Sequence, residues 1–350
     1  MAFMDKPLAM RAMYNYMRKL KQNGNKVGTI PRSIAIDYNN RCNFKCEFCY
    51  EIQDLQYNNV FLDFDTIARM ADEAYELGIF EIVLQGGELL INTKTMFQLL
   101  EALKPERFRV ILVTNGYLLT PELAVELEKR GLDCVGVSVS GMDEAEHDRS
   151  RRMKGSHKKV FEALDNAKAA GMAAWVQPIF GHHNSKSQDL YDLLDYATEK
   201  GYDIYFILAM PYGVWENNVL DAEDLKILKQ IRKDYRAFHD TWDFYDAKKE
   251  RISGCWTMNR IFITPKGDVL PCPFVNIKVG NIKEQSLKEI LDYGFSIKYF
   301  ADSSPICTAA QDRNFRKKYL QGSTSMFHPP AAKDVFAPED FLPPKSSPQE

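Results

Sequence analysis

The chain lacks an excess of charge of either sign. Its 45 Lys and Arg against 48 Asp and Glu leave a net charge of −3 over 350 residues, which gives no electrostatic footprint for nucleic acid. It lacks any run of ~18 or more apolar residues, so no transmembrane helix is expected. It also lacks the n-region, h-region and small-residue cleavage site of a secretory leader. Cysteine is sparse, at seven residues. Without a leader, those seven point to a reducing compartment, and to metal or catalysis in place of disulfides. A cytoplasmic enzyme is the expectation. Hydrophobic content of 45% and charged content of 27% are those of an ordinary globular protein, and the length suits one large domain with a small appendage.

What the chain does have is rhythm. Residues 1–32 carry Lys6, Arg11, Arg18, Lys19, Lys21, Lys26 and Arg32 against one acid, Asp5. Leu8, Met10, Met13, Met17 and Leu20 recur at near-helical spacing. This predicts a basic amphipathic helix, either covering one end of the main domain or, through residues 1–28, contacting an anionic membrane. From residue 33, apolar runs at 33–39, 81–86, 109–114, 134–140, 173–180 and 203–210 read as buried parallel strands. Helical stretches at 64–77, 94–103, 121–130, 156–170, 187–200 and 222–239 separate or follow them. Gly78, Gly131, Gly171 and Gly201 sit where a left-handed residue stops a helix, and Thr120-Pro121 reads as an N-cap followed by a first-turn proline. Six β-α units are fewer than the eight of a closed barrel, so the expected fold is α/β, an open partial (β/α)6 barrel.

Chemistry in such barrels gathers at the C-terminal strand ends, and the unusual residues fall there. Strand one feeds into Cys42, Cys46 and Cys49, a C-x3-C-x2-C triad interleaved with Asn43, Lys45 and Glu47. Three soft ligands in one turn suit an iron–sulfur cluster or zinc, although a structural zinc wants a fourth ligand that the loop does not supply. Strand two runs into Gly86-Gly87-Glu88, two residues without Cβ beside a carboxylate, suited to close approach of backbone to a ligand.

With Phe48 just before the third cysteine, this loop resembles the signature of the radical S-adenosylmethionine (radical SAM) superfamily. The resemblance implies a [4Fe–4S] cluster on Cys42, Cys46 and Cys49, with the amino and carboxylate groups of SAM on the open iron. It implies an electron from an external flavodoxin- or ferredoxin-type donor, and a 5′-deoxyadenosyl radical that takes a hydrogen atom from substrate. Gly86, Gly87 and Glu88 resemble the family's GGE motif, which binds the SAM amino group; Leu89 stands where a proline is frequent. The stretch Ser138-Val139-Ser140-Gly141 through His147-Asp148-Arg149-Ser150-Arg151 resembles the strand-four region of members with SPASM or twitch domains. By position, Ser138 and Arg151 would hold the ribose and carboxylate of SAM. An arginine fork suits a carboxylate, while the same arginines also read as a solvated basic turn. An aspartate often stands at Ser140. Asn115, closing strand three, ranks below Ser138 as a cofactor contact.

Cys134 opens strand four, the wrong end for chemistry, and reads as a small buried hydrophobe. In the last third, Cys255, Cys272 and Cys307 bracket an alternating stretch around Pro265-Lys266-Gly267-Asp268, a β-hairpin, followed by a short helix from near Ser286. This resembles the twitch domain, a truncated SPASM fold with an auxiliary iron–sulfur cluster. Its fourth ligand is open, with Asp312 one candidate; a structural zinc site and a free Cys255 thiol donating hydrogen to a substrate radical are the alternatives. His182, His183, Asn184, Tyr212, Trp215 and Glu216 lie on loops of the active face. Beyond residue 320, Pro- and Ser-rich composition predicts a poorly ordered or draped tail, with Phe336 and Phe341 able to dock locally.

The domain division expected is therefore 1–32, a basic helix; 33–240, the barrel; 241–320, the twitch domain; and 321–350, the tail. The expected function is reductive SAM cleavage with hydrogen abstraction. Oxidation or epimerisation of a small polar metabolite of sugar or aminocyclitol type comes first, because ~30 residues before the barrel leave little room for a peptide-binding domain. Peptide maturation to an epimer or crosslink is the alternative, and a non-catalytic Fe–S or zinc scaffold a further one.

Overall fold

The computed structural model describes residues 3–22, 31–51, 54, 57, 59–210, 215–216, 218–235, 237–238, 255, 257–301, 304, 306–320 and 326–343. In chain order, helix α1 (Pro7–Gln22) precedes strand β1 (Ser33–Asp37). Then follow α2 (Phe64–Leu77), β2 (Glu81–Gln85), α3 (Thr93–Leu103), β3 (Arg109–Thr114), α4 (Pro121–Lys129) and β4 (Cys134–Val137). Next come α5 (Glu144–Arg151), α6 (Ser156–Ala169), β5 (Ala173–Val176), β6 (Ile179–Phe180), α7 (Gln188–Lys200), β7 (Asp203–Tyr205), β8 (Ile207–Leu208), α8 (Ala222–Asp234) and β9 (Ala237–Phe238). A hairpin of β10 (Arg260–Ile263) and β11 (Asp268–Leu270) leads to β12 (Gly280–Asn281) and a helix over Leu287–Ser296.

Among the described residues the main sheet has ten strands in the order β12-β11-β10-β1-β2-β3-β4-β5-β7-β9, and β6 pairs with β8 apart from it. Every pair from β10–β1 round to β7–β9 is parallel. The expected strand at 173–180 is divided by Pro178, which has no N–H for the ladder; its carbonyl instead accepts from Ile207 N at 3.0 Å. The hairpin expected at Pro265–Asp268 is present, antiparallel, with Gly267 at φ +89°. It does not form a sheet of its own: β10 pairs with β1, residue Ser33 opposite Arg260. The expected boundary at 240/241 lies outside the described residues.

Strand alternation builds two apolar layers. Ile34, Ile36, Ile82, Leu84, Val110, Leu112, Val135 and Val137 face the helices, each fully buried. Ala35, Val83, Ile111, Cys134, Trp175 and Phe262 face the lumen, joined there by Leu270 and Met326. The helices end as their caps dictate. Thr120 accepts from Leu123 N at 3.2 Å ahead of Pro121, and Gly78 closes α2 at φ +90°.

The α1 helix lies against the N-terminal strand ends. Lys6 is buried there, its Nζ 2.6 Å from Asp133 Oδ2 and 2.7 Å from the carbonyl of Gly131. Tyr16 packs on Phe80 and donates to Asn259 Oδ1 at 3.1 Å. The helix thus covers one end of the barrel, the first of the two roles its pattern allows.

The alternative reading of the arginines as a solvated basic turn does not hold for Arg151, which ends a helix over 144–151 and is buried. Of the expected poorly ordered or draped tail, residues 326–343 are ordered against the fold with Phe336 and Phe341 docked: Met326, Phe327, Ala332 and Phe336 are buried, and Phe336 sits among Tyr299, Phe300, Phe315, Tyr319 and Phe341. A few aromatics spaced through polar chain supply the apolar area that average composition conceals. Residues 321–325 and 344–350 lie outside the described residues.

Candidate active site

The cysteine loop leaves β1 at Asp37 and is laced to the turn after β2. Gly87 N donates to Asn39 O at 2.9 Å, and Glu88 N to Arg41 O at 2.6 Å. A Cβ on Gly86 would collide with Asp37 Oδ1, and one on Gly87 with the Arg41 backbone. The double glycine therefore admits the cysteine loop itself, a requirement the sequence reading assigned to a ligand. Within the loop, Phe44 N donates to Cys42 Sγ at 3.4 Å and Cys49 N to Cys46 O at 3.3 Å.

Burial pushes the Cys42 thiol up to about 12, with Glu88, Cys46 and Glu51 adding to it and the Phe44 N–H opposing. Burial and Glu51 push Cys49 up further. Thiols so placed ionise only against a strongly cationic centre. The three sulfurs are not all within 4.8 Å of one another. A single tetrahedral zinc at ~2.3 Å from each would hold sulfurs about 3.8 Å apart. An all-sulfur donor set at wider spacing fits a polynuclear iron–sulfur centre.

Glu88 is fixed from strand β3. Asn115 N donates to its Oε2 at 2.8 Å, Leu90 N to Oε1 at 3.0 Å, and Thr114 Oγ1 lies 2.8 Å from Oε2. Burial raises its carboxyl, and these donors oppose the rise. Asn115 ties the β3 end to the loop, its Nδ2 donating to Asn43 Oδ1 at 2.8 Å, and its Oδ1 accepts from Tyr117 N. That accounts for Asn115 as a strut. Ser138 follows β4 half-buried, its N–H on Thr114 O at 3.0 Å.

Helix α5 brings Arg151 over the cysteines. Its guanidinium lies 4.9 Å from the Phe48 ring centroid, close enough to the three cysteines for their charge to act on it, and its Nε donates to Ser140 Oγ at 3.0 Å. Ser140, where the family pattern often has an aspartate, is thus the residue that holds Arg151. His147 holds Ser140 in turn, Nδ1 accepting from Ser140 N at 3.2 Å. Burial, then the Arg151 charge, lowers the His147 imidazole to about 3. Phe48 stacks on Trp215 at 5.3 Å, and Trp215 on His183 at 5.5 Å. His182 instead turns to Asp224, Nδ1 to Oδ2 2.8 Å, at the capping box that starts α8. The two adjacent histidines diverge, Glu216 is exposed beside Trp215, and Tyr212 lies outside the described residues.

The second cysteine group forms where the hairpin meets the following loops. Cys255 Sγ accepts from Thr308 N at 3.3 Å and lies 2.8 Å from Thr257 Oγ1; Cys272 Sγ accepts from Phe274 N at 3.4 Å. A hydrogen bond from Cys307 brings Cys255 down to about 6, against its burial. Burial raises Cys272, and Cys307 rises chiefly as the donor to Cys255. Three sulfurs brought together, two of them accepting from backbone N–H groups, are an all-sulfur donor set suited to an iron–sulfur centre. Asp312 caps the helix Arg313–Tyr319 through Phe315 N at 2.9 Å. That capping role accounts for its carboxylate without a ligand role.

Three features escaped sequence reading. The barrel lumen is lined by Gln85, Gln177, Trp175 and Tyr205. Its floor is Glu81, contacted by Arg32 at 2.9 Å and by Arg109 and Arg260 at 3.0 Å each. Burial opposes ionisation of Glu81, but the three arginines hold it down at about 2. Cys134 lies in this floor, 3.2 Å from Arg109 Nη2, buried as expected. At the other end, Asp37, Glu51 and Asp54 form a buried acidic group, in which Glu51 and Asp54 both act on the Asp37 carboxyl. The charges at 81, 109 and 260, each opening an apolar strand, were the available signal for the floor.

Comparison with known proteins places this geometry. Residues 36–197 match the model for the Radical SAM superfamily, and residues 255–312 match SPASM, an iron–sulfur cluster-binding domain. The AdoMet-dependent heme synthase of Methanosarcina barkeri is 26% identical over 288 residues, covering 74% of this chain and 82% of that protein. The PqqA peptide cyclase of Granulibacter bethesdensis is 24% identical over 277 residues, covering 74% and 73%. Among solved structures, Streptococcus suis SuiB bound to S-adenosylmethionine superposes with a TM-score of 0.61 at 18% identity, covering 79% of this chain and 68% of SuiB. No described helix is long and apolar enough to cross a membrane. Residues 36–197 thus form a Radical SAM domain, and residues 255–312 a SPASM-type iron–sulfur domain.

Proposed function

We propose that this chain is a radical SAM enzyme that abstracts a hydrogen atom from a polar substrate seated between two iron–sulfur sites. Cys42, Cys46 and Cys49 hold the SAM-cleaving cluster, and Cys255, Cys272 and Cys307 hold the auxiliary one. When bound, the first cluster and SAM supply a 5′-deoxyadenosyl radical, with the electron from an external flavodoxin- or ferredoxin-type donor. The chain's own residues do the rest. Arg151, held by Ser140, aims a guanidinium at the cysteine loop, where it suits the SAM carboxylate. Glu88, immobilised by donors from β3, fixes the turn that faces the SAM amino group. Phe48 and Trp215 form an aromatic wall for the adenine side, and Ser138 lies on the path of the ribose.

The observation that carries this reading is the placing of Arg151 against the cysteine loop, 4.9 Å from the Phe48 ring and held by Ser140 at 3.0 Å. A buried guanidinium at an all-sulfur turn is arranged for an anion arriving beside a metal centre. The substrate favoured is a small polar metabolite in the cytoplasm, taken to an oxidised or epimerised product. The amide and aromatic side chains of the lumen suit a compact polar molecule. Peptide maturation is the second reading, favoured by the likeness to a PqqA peptide cyclase and to SuiB, also solved with its precursor peptide SuiA. Anaerobically reconstituted protein given dithionite and SAM is expected to release 5′-deoxyadenosine, read by liquid chromatography. Full cluster loading with no SAM cleavage would leave the scaffold reading.

A further inference from the structure

Asp37 closes β1 on the lumen side, in register with Gln85 of β2, and is 1% exposed. Neither of its carboxylate oxygens has a hydrogen-bond partner. It lies against Gly86, and the charges that act on it are Glu51 and Asp54, themselves 3% and 1% exposed. The other two carboxylates are engaged. Glu51 is hydrogen-bonded to Tyr50, and Asp54 Oδ2 accepts from Met326 N at 2.8 Å. Burying carboxylate oxygens without donors is costly, and two neighbouring acids compound the cost, so the Asp37 carboxyl is pushed well up and an arriving cation is what would hold it ionised.

A bare metal ion is the poorer occupant. A calcium-type ion draws oxygens to about 2.3–2.6 Å, which brings its ligands within 4.8 Å of one another. Asp37, Glu51 and Asp54 are not so gathered; among the described residues the group that is lies elsewhere, at His182, Asp221 and Asp224. Two open oxygens on one carboxylate instead match the directed N–H donors of an ammonium or guanidinium. The neighbour of Asp37 in register, Gln85, lines the lumen and donates through Nε2 to Tyr50 Oη at 3.1 Å.

We infer that Asp37 is a substrate-recognition residue that receives a protonated amine or guanidinium. The substrate of this enzyme is then a cationic, nitrogen-bearing compound. This rests on the proposed function and narrows it to one chemical class. Arg151 and Asp37 would sort charge at the site, the arginine taking a carboxylate and the aspartate an ammonium.

The test uses reconstituted, SAM-loaded enzyme and matched probes: glucosamine with glucose, cyclohexylamine with cyclohexanol, and agmatine. Thermal midpoints are measured against concentration, for wild type and Asp37→Asn. The amines are expected to stabilise wild type with apparent affinities about tenfold or more above their hydroxyl partners, and to lose that preference in Asp37→Asn. Equal response to each member of a pair, or none to any amine, overturns the inference. So does stabilisation by calcium or manganese that disappears in Asp37→Asn, which assigns the carboxylate to a metal. SAM affinity is measured alongside, and a matching tenfold loss of SAM binding in Asp37→Asn would assign it to the cofactor's own ammonium. If wild type cleaves SAM while its amine preference is absent, this inference alone falls. If wild type cleaves no SAM, the proposed function falls with it.

Discussion

His147 offers a prediction in which sign and size both follow from geometry. Its Nδ1 must stay unprotonated to accept from Ser140 N, it is 1% exposed, and the Arg151 charge stands nearby. The imidazole therefore has a folded value of about 3, while in the unfolded chain it titrates near ~6.5. The group is depressed, so the unfolded state takes up a proton first, and folding stability falls as pH drops from about 6.5 towards about 3. At pH 5 the loss from this one residue is about 2 kcal/mol. For a chain of this length that is about 3 °C in the thermal midpoint. Calorimetry of the holoprotein between pH 7 and pH 5 gives the slope. His147→Gln, whose amide oxygen can accept from Ser140 N without titrating, should flatten that slope by the same 3 °C or so. An unchanged slope in the variant would mean that His147 is solvated and does not hold the Ser140–Arg151 pair.

Three further outcomes are expected. Glu81→Gln leaves Arg32, Arg109 and Arg260 facing a neutral amide in the barrel floor, and should cost roughly 3–5 kcal/mol in denaturant unfolding; a change within error would show the floor to be wet. Arg151→Lys keeps the charge but loses the planar fork held by Ser140, so SAM affinity by anaerobic equilibrium dialysis should fall about tenfold. An unaltered affinity would remove Arg151 from the SAM site. Phe336→Ala empties the aromatic cluster around residues 299–341 and should cost about 3–5 kcal/mol, whereas a loosely draped segment would lose next to nothing.

Much of this was legible in the chain, for identifiable reasons. Six buried strands and their helices announced themselves through period and glycine stops, because burial on both faces demands apolar runs and Gly78, Gly131, Gly171 and Gly201 mark where helices end. The cysteine loop was legible because its chemistry is local in sequence. Helix α5 was not: Glu144–Arg151 has almost no apolar stripe, and it is held by Asp143 capping and by contacts to the cysteine loop such as Arg149 with Glu47. Ser140 was read as a departure from a pattern, since its partner Arg151 stands eleven residues away and only the fold brings them together. Asp37 hid in an apolar strand, and its isolation from any donor exists only in three dimensions. The pairing of β10 with β1, which continues the barrel sheet into the SPASM region, joins segments more than two hundred residues apart that no local signal links.

The most direct test of the central claim is 5′-deoxyadenosine formed per protein under dithionite, in wild type and two triple variants. Wild type should turn over SAM, and Cys42→Ala/Cys46→Ala/Cys49→Ala should form none. Cys255→Ala/Cys272→Ala/Cys307→Ala should retain SAM cleavage while losing about half the iron, as expected for two cubane sites. Undiminished 5′-deoxyadenosine from the first variant would contradict the account at its root.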